Sequence, residues 1–265
     1  KEHISGIIQY PKLILIKPAK KSLKKSLFNL KTKIQTSFKK TLPYQESAFL
    51  GGITLGSREE FSKEFKDAMS KSGTTHLVAL SGYNITIIIA IISSLLFWLP
   101  LKMRFFPAVI AIITFTVFVG ASAAVVRAAI MGILGLIALQ AGRQTDVRLL
   151  ILWTLFFMLA WNPAQLWYDA GFQLSFLAVI GLAELTPLIE RWFNRLPKAF
   201  GIREALLATM AAQISAVPLI ILLFGRFSLV APLANLLIAL FIPLAMLFGF
   251  LGTMLSWIWF PLGQL

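Results

Sequence analysis

Along Lys20–Lys40 the apolar positions Leu23, Leu27, Leu30, Ile34 and Phe38 step by three or four residues, while lysines fill the remaining faces. That spacing predicts a basic amphipathic helix lying on a membrane surface, bracketed by Pro18 and Pro43. Beyond Thr75 the pattern changes. Apolar runs of about 18 or more residues recur with no polar face, which is the length a bilayer-crossing helix needs. With several shorter or interrupted runs among them, they predict about seven spans, at 76–98, 106–120, 124–141, 148–161, 171–189, 204–224 and 232–259. The runs are continuous and do not alternate, so they do not read as a β-barrel. The expected fold is an all-α polytopic membrane protein of about seven transmembrane helices, with the N-terminal basic amphipathic helix and a short β remnant.

The β remnant is residues 1–17, "KEHISGIIQYPKLILIK", which read as short strands around a proline turn. Residues 18–73 are expected to form amphipathic surface helices, and 74–265 the transmembrane domain, continuing past the closing "FPLGQL". Within the middle stretch, "FLGGITLG" reads as a glycine-rich turn. Ser57 with Glu60 three residues on then reads as a capping box. Phe61, Phe65, Ala68 and Met69 give the following helix one apolar face, and Gly73 ends it. Pro163 and Pro187 are placed at span ends, Pro218 and Pro243 inside spans, where neighbouring helices or a cavity satisfy the freed carbonyls.

Composition agrees with this pattern. The chain has 265 residues, 58% of them hydrophobic, with only 14% charged against roughly 25% in soluble domains. Mean hydropathy is +0.80. The absence of cysteine excludes disulfides, thiolate metal sites and cysteine nucleophiles, and two histidines, His3 and His76, are too few for a histidine-based metal cluster. No cofactor is expected. The net charge of +14 suits anionic lipids or a passing polyanion. Because Lys1 is not an initiator methionine and no signal peptide opens the chain, it is expected to be an internal piece of a longer protein.

Loop charges predict sidedness. Lys102 and Arg104, then Arg143 and Arg148, then Arg191, Arg195, Lys198 and Arg203 mark alternate loops as cytoplasmic; 121–123 and 162–170 carry no Lys or Arg, and 225–231 only Arg226. Everything before His76 then lies outside. The lysine-rich helix opposes the usual bias, and upstream spans are expected to dictate its side.

Candidate chemistry sits in polar groups within apolar runs, where each costs up to several kcal/mol on the harsher scales. "THLVALSGYNITIIIAIISSLLFWL" opens with His76, Ser81, Gly82 and Asn84, either the lining of a pore or broken helix or interhelical hydrogen bonds. Arg127 lies several positions inside a span, either snorkelling to the interface or contacting phosphate on a pathway. Ala124, Ala128 and Gly132 read as close helix packing. Gln173 and Glu184 are nearly in phase, with Glu184 lining a cavity or at the boundary near Arg191. Ser175, Gln213, Ser215 and Asn235 extend the set toward a polar interior. "ALSG" resembles the Gly-x-Ser-Gly box of rhomboid-type intramembrane serine proteases, although His76 lies on the same segment as Ser81 rather than on another span. No phosphate-binding Gly-x4-Gly-Lys-[Ser/Thr] loop occurs. The Ser22-x-x-Lys25 match on the lysine-rich helix is read as chance. The tryptophans Trp98, Trp153, Trp161, Trp167, Trp257 and Trp259 read as interfacial belts.

Three passages resemble the competence domain of ComEC-type DNA-uptake proteins. They are "LGGITLGSREEFSKEFKDAMSKSGTTHLVALSGYNI", "VVRAAIMGILGLIALQAGR" and "WNPAQLWYDAGFQLSFLAVIGL", joined by "FSLVAPLANLL"; together they cover most of residues 48–240. The family signature carries Leu-His where this chain has Tyr83 and Asn84. The resemblance implies an inner-membrane channel that conducts single-stranded DNA into the cytoplasm during natural transformation. The implied pathway residues are His76, Ser81, Asn84, Arg127, Gln173, Ser175, Gln213 and Asn235, with Gly73, Gly82 and Gly171 as structural positions. An outside basic surface of Lys20, Lys21, Lys24, Lys25, Lys31, Lys33, Lys39 and Lys40 would attract the strand. Residues 1–17 would end an OB-like domain, and a nuclease domain, where family members have one, would lie elsewhere, so no enzyme activity is expected of this chain. Expected partners are single-stranded DNA, anionic lipids, DNA-receptor and translocase proteins, and further copies of the chain. The competing functions are a transporter of a small solute or lipid, and an intramembrane serine protease.

Overall fold

The computed structural model describes residues 22–57, 61–75, 82–95, 98–193, 202–225 and 228–258, and no strand occurs among the described residues. The expected β remnant of 1–17 lies outside them, as do Lys20, Lys21, His76 and Ser81. The helices are α1 (Leu23–Thr41), α2 (Tyr44–Leu55), α3 (Lys63–Ser72), α4 (Gly82–Leu95), α5 (Leu101–Val119), α6 (Ala123–Gln140), α7 (Val147–Trp161), the single turn α8 (Gln165–Tyr168), α9 (Ala170–Glu190), α10 (Ile202–Phe224) and α11 (Ala231–Ile258). A 3-10 turn, Arg191–Phe193, prolongs α9.

Four stretches, Ala123–Gln140, Ala170–Phe193, Arg203–Phe224 and Ala231–Trp257, are long and apolar enough to cross a membrane. Met103–Val119 and Val147–Trp161 are apolar but shorter. Large apolar side chains such as Phe106, Trp153, Leu222, Phe241 and Phe248 stay exposed on the outer faces of these helices, the surface a membrane protein gives to lipid. Aspartates cap two helix starts. Asp146 accepts from the amides of Arg148 and Leu149, and Asp169 from that of Phe172, which satisfies donors otherwise left open in the first turn. Pro187, expected at a span end, lies inside α9 because the helix runs on to Glu190; Pro107, Pro218 and Pro243 are also internal.

Two expectations for the N-terminal third change. First, "FLGGITL" is not a turn. It belongs to α2, in which Ser47, Ala48, Leu50, Gly51, Gly52, Ile53 and Leu55 are all buried. Glycine weakens an isolated helix by about 1 kcal/mol per residue, and that penalty gives the stretch its turn-like look. Burial on nearly every side outweighs it. Helix α2 closes at Gly56 (φ 63°), with the Gly56 amide bonding to Gly52 O and that of Ser57 to Gly51 O, the paired closure in which a left-handed residue suits glycine. Ser57 is thereby used to end α2, and the cap of α3 is Ser62, which accepts from the Phe65 amide.

Second, α1 does not rest on lipid alone. Phe38 is buried in a cluster with Leu50, Ile53, Leu55, Ile242 and Met246, and Ile34 packs against it. The apolar face thus docks on α2, α5 and α11. Lys31 Nζ donates to Val119 O at the carbonyl end of α5 (3.3 Å), a favourable place for a cation. Loss of solvent pulls the Lys31 pKa below its ordinary value.

The α5–α6 turn carries a strained residue. Gly120 sits at φ 114° and Ala121 at φ 49°, and a left-handed conformation costs a non-glycine residue roughly 1–2 kcal/mol. Ala121→Gly should therefore raise stability by about 0.5–1 kcal/mol after the extra entropy of the unfolded glycine is counted. The readout is the unfolding midpoint in detergent. No rise would mean that the turn relaxes at no cost.

Candidate functional site

The contacts fix how the helices run. Gly82 lies beside Arg127 and Ala128, and Gly132 beside Ile89, so α4 and α6 are parallel. Ile112 also meets Gly132, and Val119 packs with Ile85 and Val125, so α5 runs the opposite way. Helix α9 is antiparallel to α10, through Glu190–Arg203 at one end and Leu177–Ser215 farther along. It is antiparallel to α7 through Arg148–Glu184 and the Met158–Phe172–Phe176 cluster. The short 225–230 connection returns α11 alongside α10. Helices α4, α6, α9 and α11 consequently start at one common end of the bundle.

That end carries the polar side chains. Arg127 is in the second turn of α6, Gln173 in the first turn of α9 and Asn235 in the second turn of α11. Arg127 is only 7% exposed, so it is buried rather than snorkelling. Its guanidinium lies over Gly82: a Cβ added there would meet Arg127 Nη2 at 2.7 Å. Among the described residues Arg127 Nε has no hydrogen-bond partner, and neither has the buried Asn235 Oδ1. Gln173 Nε2 donates to Leu166 O (2.6 Å), fastening α9 to the preceding turn.

Of the predicted pathway residues, Arg127, Gln173 and Asn235 thus sit in the opening turns of helices that begin at the same end of the bundle, without forming one cluster. Among the described residues no hydrogen bond joins Arg127, Gln173 and Asn235. Ser175 spends its hydroxyl hydrogen on Phe172 O within its own helix. Gln213 is half-buried midway along α10. Asn84 belongs to the first turn of α4, its side chain outside the description, and His76 and Ser81 are outside altogether.

The opposite end is charged. Arg148 clasps Glu184 through Nε–Oε1 (2.7 Å) and Nη2–Oε2 (2.8 Å), on the surface. Arg203, itself buried, reaches Glu190 Oε1 at 3.1 Å. Glu184 lies inside α9, well before its end, and pairs with Arg148, not Arg191. Arg191 is two turns farther along the same stretch, about 10 Å away along the axis, whereas Arg148 approaches from α7.

Of the glycines singled out, Gly73 (φ 72°) ends α3 where a Cβ would strike Ala231 Cβ at 2.6 Å, and Ser228 Oγ donates to the adjacent Lys71 O (2.6 Å). This ties α3 to the start of α11. Gly171 lies beside the capping carboxylate of Asp169, where an added Cβ would sit 3.1 Å from Asp169 Oδ1. On α1, Lys25, Lys39 and Lys40 are exposed, Lys33 Nζ sits 4.3 Å from the centroid of the Trp257 ring, and the Lys24 side chain is outside the description. No group of three or more His, Cys, Asp or Glu side chains able to hold a metal occurs among the described residues.

Three contacts had no visible signal in the sequence. Ser215 Oγ donates to Leu177 O (2.7 Å), Trp257 Nε1 to Ser37 Oγ (3.0 Å), and Arg203 pairs with Glu190. Each joins residues on different elements, which no local pattern encodes.

No solved structure matches the chain. It is similar to ComE operon protein 3 of Bacillus subtilis (strain 168), with 24% identity over 234 residues, 86% of this chain and 29% of that protein. The chain thus spans less than a third of the length of that relative. The family profile described as competence protein matches residues 53–265, well over half of the sequence, and on that match the chain belongs to the competence protein family.

Proposed function

We propose that this chain is the membrane-embedded part of a DNA-uptake machine, in which seven helical spans, α4–α7 and α9–α11, line a route for single-stranded DNA into the cytoplasm. The observation that carries this reading is Arg127, a guanidinium buried at the end where α4, α6, α9 and α11 begin, with Gln173 and Asn235 in the opening turns of α9 and α11. An arginine so placed costs at least about 2.5–3.5 kcal/mol in a membrane helix. Its planar fork matches a phosphate oxygen pair, and a passing strand brings one phosphate per nucleotide. Membership of the competence protein family supports DNA uptake as the task.

In this reading the membrane is the bacterial inner membrane. The Arg127 end faces outward, and the loops rich in Lys and Arg face the cytoplasm. Lys25 and Lys39 on the exposed face of α1 gather the strand, DNA-receptor and translocase proteins deliver and pull it, and the chain supplies no hydrolysis.

The natural absence of cysteine makes the test direct. Single cysteines at Gln173, Gln213 and Asn235 should react with a charged, membrane-impermeant thiol reagent, and DNA held in transit should slow the reaction. Cysteines at the lipid-facing Leu222 and Phe241 should stay unreactive in both states. Cysteines replacing Lys31 and Lys198 report the two sides. If Gln213→Cys and Asn235→Cys are as inert as the lipid-facing controls, no wet route exists.

A further inference from the structure

A groove of about 590 Å³ opens between α1 and the last turn of α11, with Thr32, Lys33, Thr36, Ser37, Lys40 and Trp257 among its walls and no carboxylate among them. Its walls set hydroxyl oxygens beside cations, with the Asn29 amide also among them. Thr32 Oγ1 donates to Phe28 O and Thr36 Oγ1 to Thr32 O. Ser37 Oγ donates to Lys33 O and accepts from Trp257 Nε1. The threonine hydroxyl hydrogens are spent, so those oxygens offer lone pairs, while Lys33 and Lys40, two turns apart on one face, supply cationic donors.

The groove is also continuous with an apolar surface. Phe250, Leu251, Met254 and Leu255 are exposed along α11 and lead up to Trp257, and Phe28 is 68% exposed on α1 beside it. A ligand fitting all three features carries an anion for the lysines, hydroxyl donors for the threonine oxygens and a long apolar tail. We infer that this groove is a binding site for an anionic phospholipid with a phosphoglycerol headgroup, seated on Lys33 and Lys40 with its acyl chains along α11.

A nucleic acid strand suits the groove less well. Strand binding relies on bases stacking on aromatic faces. One face of Trp257 is covered by the Lys33 ammonium at 4.3 Å, and its ring N–H is fixed on Ser37. A tryptophan with neighbouring lysines beside an apolar helix is instead the usual furnishing of a membrane interface. The lipid would pin α1 to α11 from the groove side, opposite the docked face that holds Phe38. Nothing in this site depends on the route of the DNA.

The experiment is native mass spectrometry of the full chain in detergent, titrated with dioleoyl phosphatidylglycerol, dioleoyl phosphatidylcholine, glycerol 3-phosphate and a 20-nucleotide single strand. Phosphatidylglycerol should bind in preference to phosphatidylcholine. The double variant Lys33→Gln/Lys40→Gln should weaken it by about 25-fold, roughly fivefold for each lysine near a headgroup. Lys33→Arg/Lys40→Arg should retain binding, which separates loss of charge from loss of fold. Lys63→Gln/Lys66→Gln, on the exposed face of α3, should change nothing. The assignment is overturned if the double glutamine variant binds phosphatidylglycerol as tightly as the unaltered chain. It is overturned equally if glycerol 3-phosphate binds as well as the lipid, or if the single strand displaces the lipid and depends more strongly than it does on Lys33 and Lys40.

Discussion

Arg127→Met should lower DNA uptake by about two orders of magnitude, near 2.7 kcal/mol, while leaving the chain inserted and at least as stable as before. The two effects point in opposite directions because the guanidinium is a poor structural choice where it lies. It is 7% exposed, and its Nε finds no partner among the described residues. Charge inside a membrane helix costs at least about 2.5–3.5 kcal/mol, and methionine fills a similar volume without it. Arg127→Lys keeps the charge but loses the two-pronged geometry, so uptake should fall to an intermediate level. Gly82→Ala should also reduce uptake with little loss of stability, because its Cβ would press at 2.7 Å on the far end of the Arg127 side chain and on no backbone atom. The measurements are transformation frequency per folded molecule in the membrane, and the unfolding midpoint in detergent. A purely structural arginine gives the reverse: Arg127→Met would destabilise, and uptake would fall only as far as the amount of folded protein does.

The spans were legible because their signal is local. The apolar run 204–224 becomes α10, Ile202–Phe224, and 148–161 becomes α7, Val147–Trp161. Periodicity also shows that α1 buries the face of Ile34 and Phe38, but a stripe on one helix does not say whether lipid or protein covers it. Here protein covers much of it. Helix α2 was hidden by Gly51 and Gly52, whose intrinsic cost only tertiary burial overcomes. A Cβ on Gly249 of α11 would meet Leu50 at 2.6 Å, so the close approach that rescues α2 rests on a glycine about two hundred residues away. The site follows the same division. Each polar residue in an apolar run is visible in the sequence, and so is its helix. That Arg127, Gln173 and Asn235 gather near one end of the bundle follows from the helix directions. That Ser215 is bonded to Leu177, and so fastens helices rather than lining a path, depends on a pairing 38 residues apart that no sequence period reports.

Gly181→Val should be among the most damaging single changes in the chain, costing about 3 kcal/mol or more, at the upper end for overpacked sites. Among the described residues the α9–α10 pairing is the most extensive helix contact. At its centre, a Cβ on Gly181 would lie 2.5 Å from Ser215 Cβ and 2.6 Å from the Ala211 carbonyl oxygen. The second neighbour is backbone and cannot rotate away, so the helices must separate. Ser215→Ala removes only the hydrogen bond to Leu177 O, and such interhelical bonds average about 0.6 kcal/mol in membranes. Adding Ser215→Gly to Gly181→Ala should recover part of the loss and no more, because it clears one obstruction and leaves the carbonyl. Unfolding midpoints of the four variants in detergent give the comparison, and full recovery in the double variant would show that the Ala211 carbonyl exerts no constraint. Helices this close admit no nucleotide between them. In the proposed route α9 and α10 therefore act as one wall, with Gln213 held at its depth by neighbours Ala211 and Ser215. Gly181→Ala should accordingly depress uptake beyond its effect on the amount of folded protein, whereas Ser215→Ala, which leaves the separation unchanged, should not.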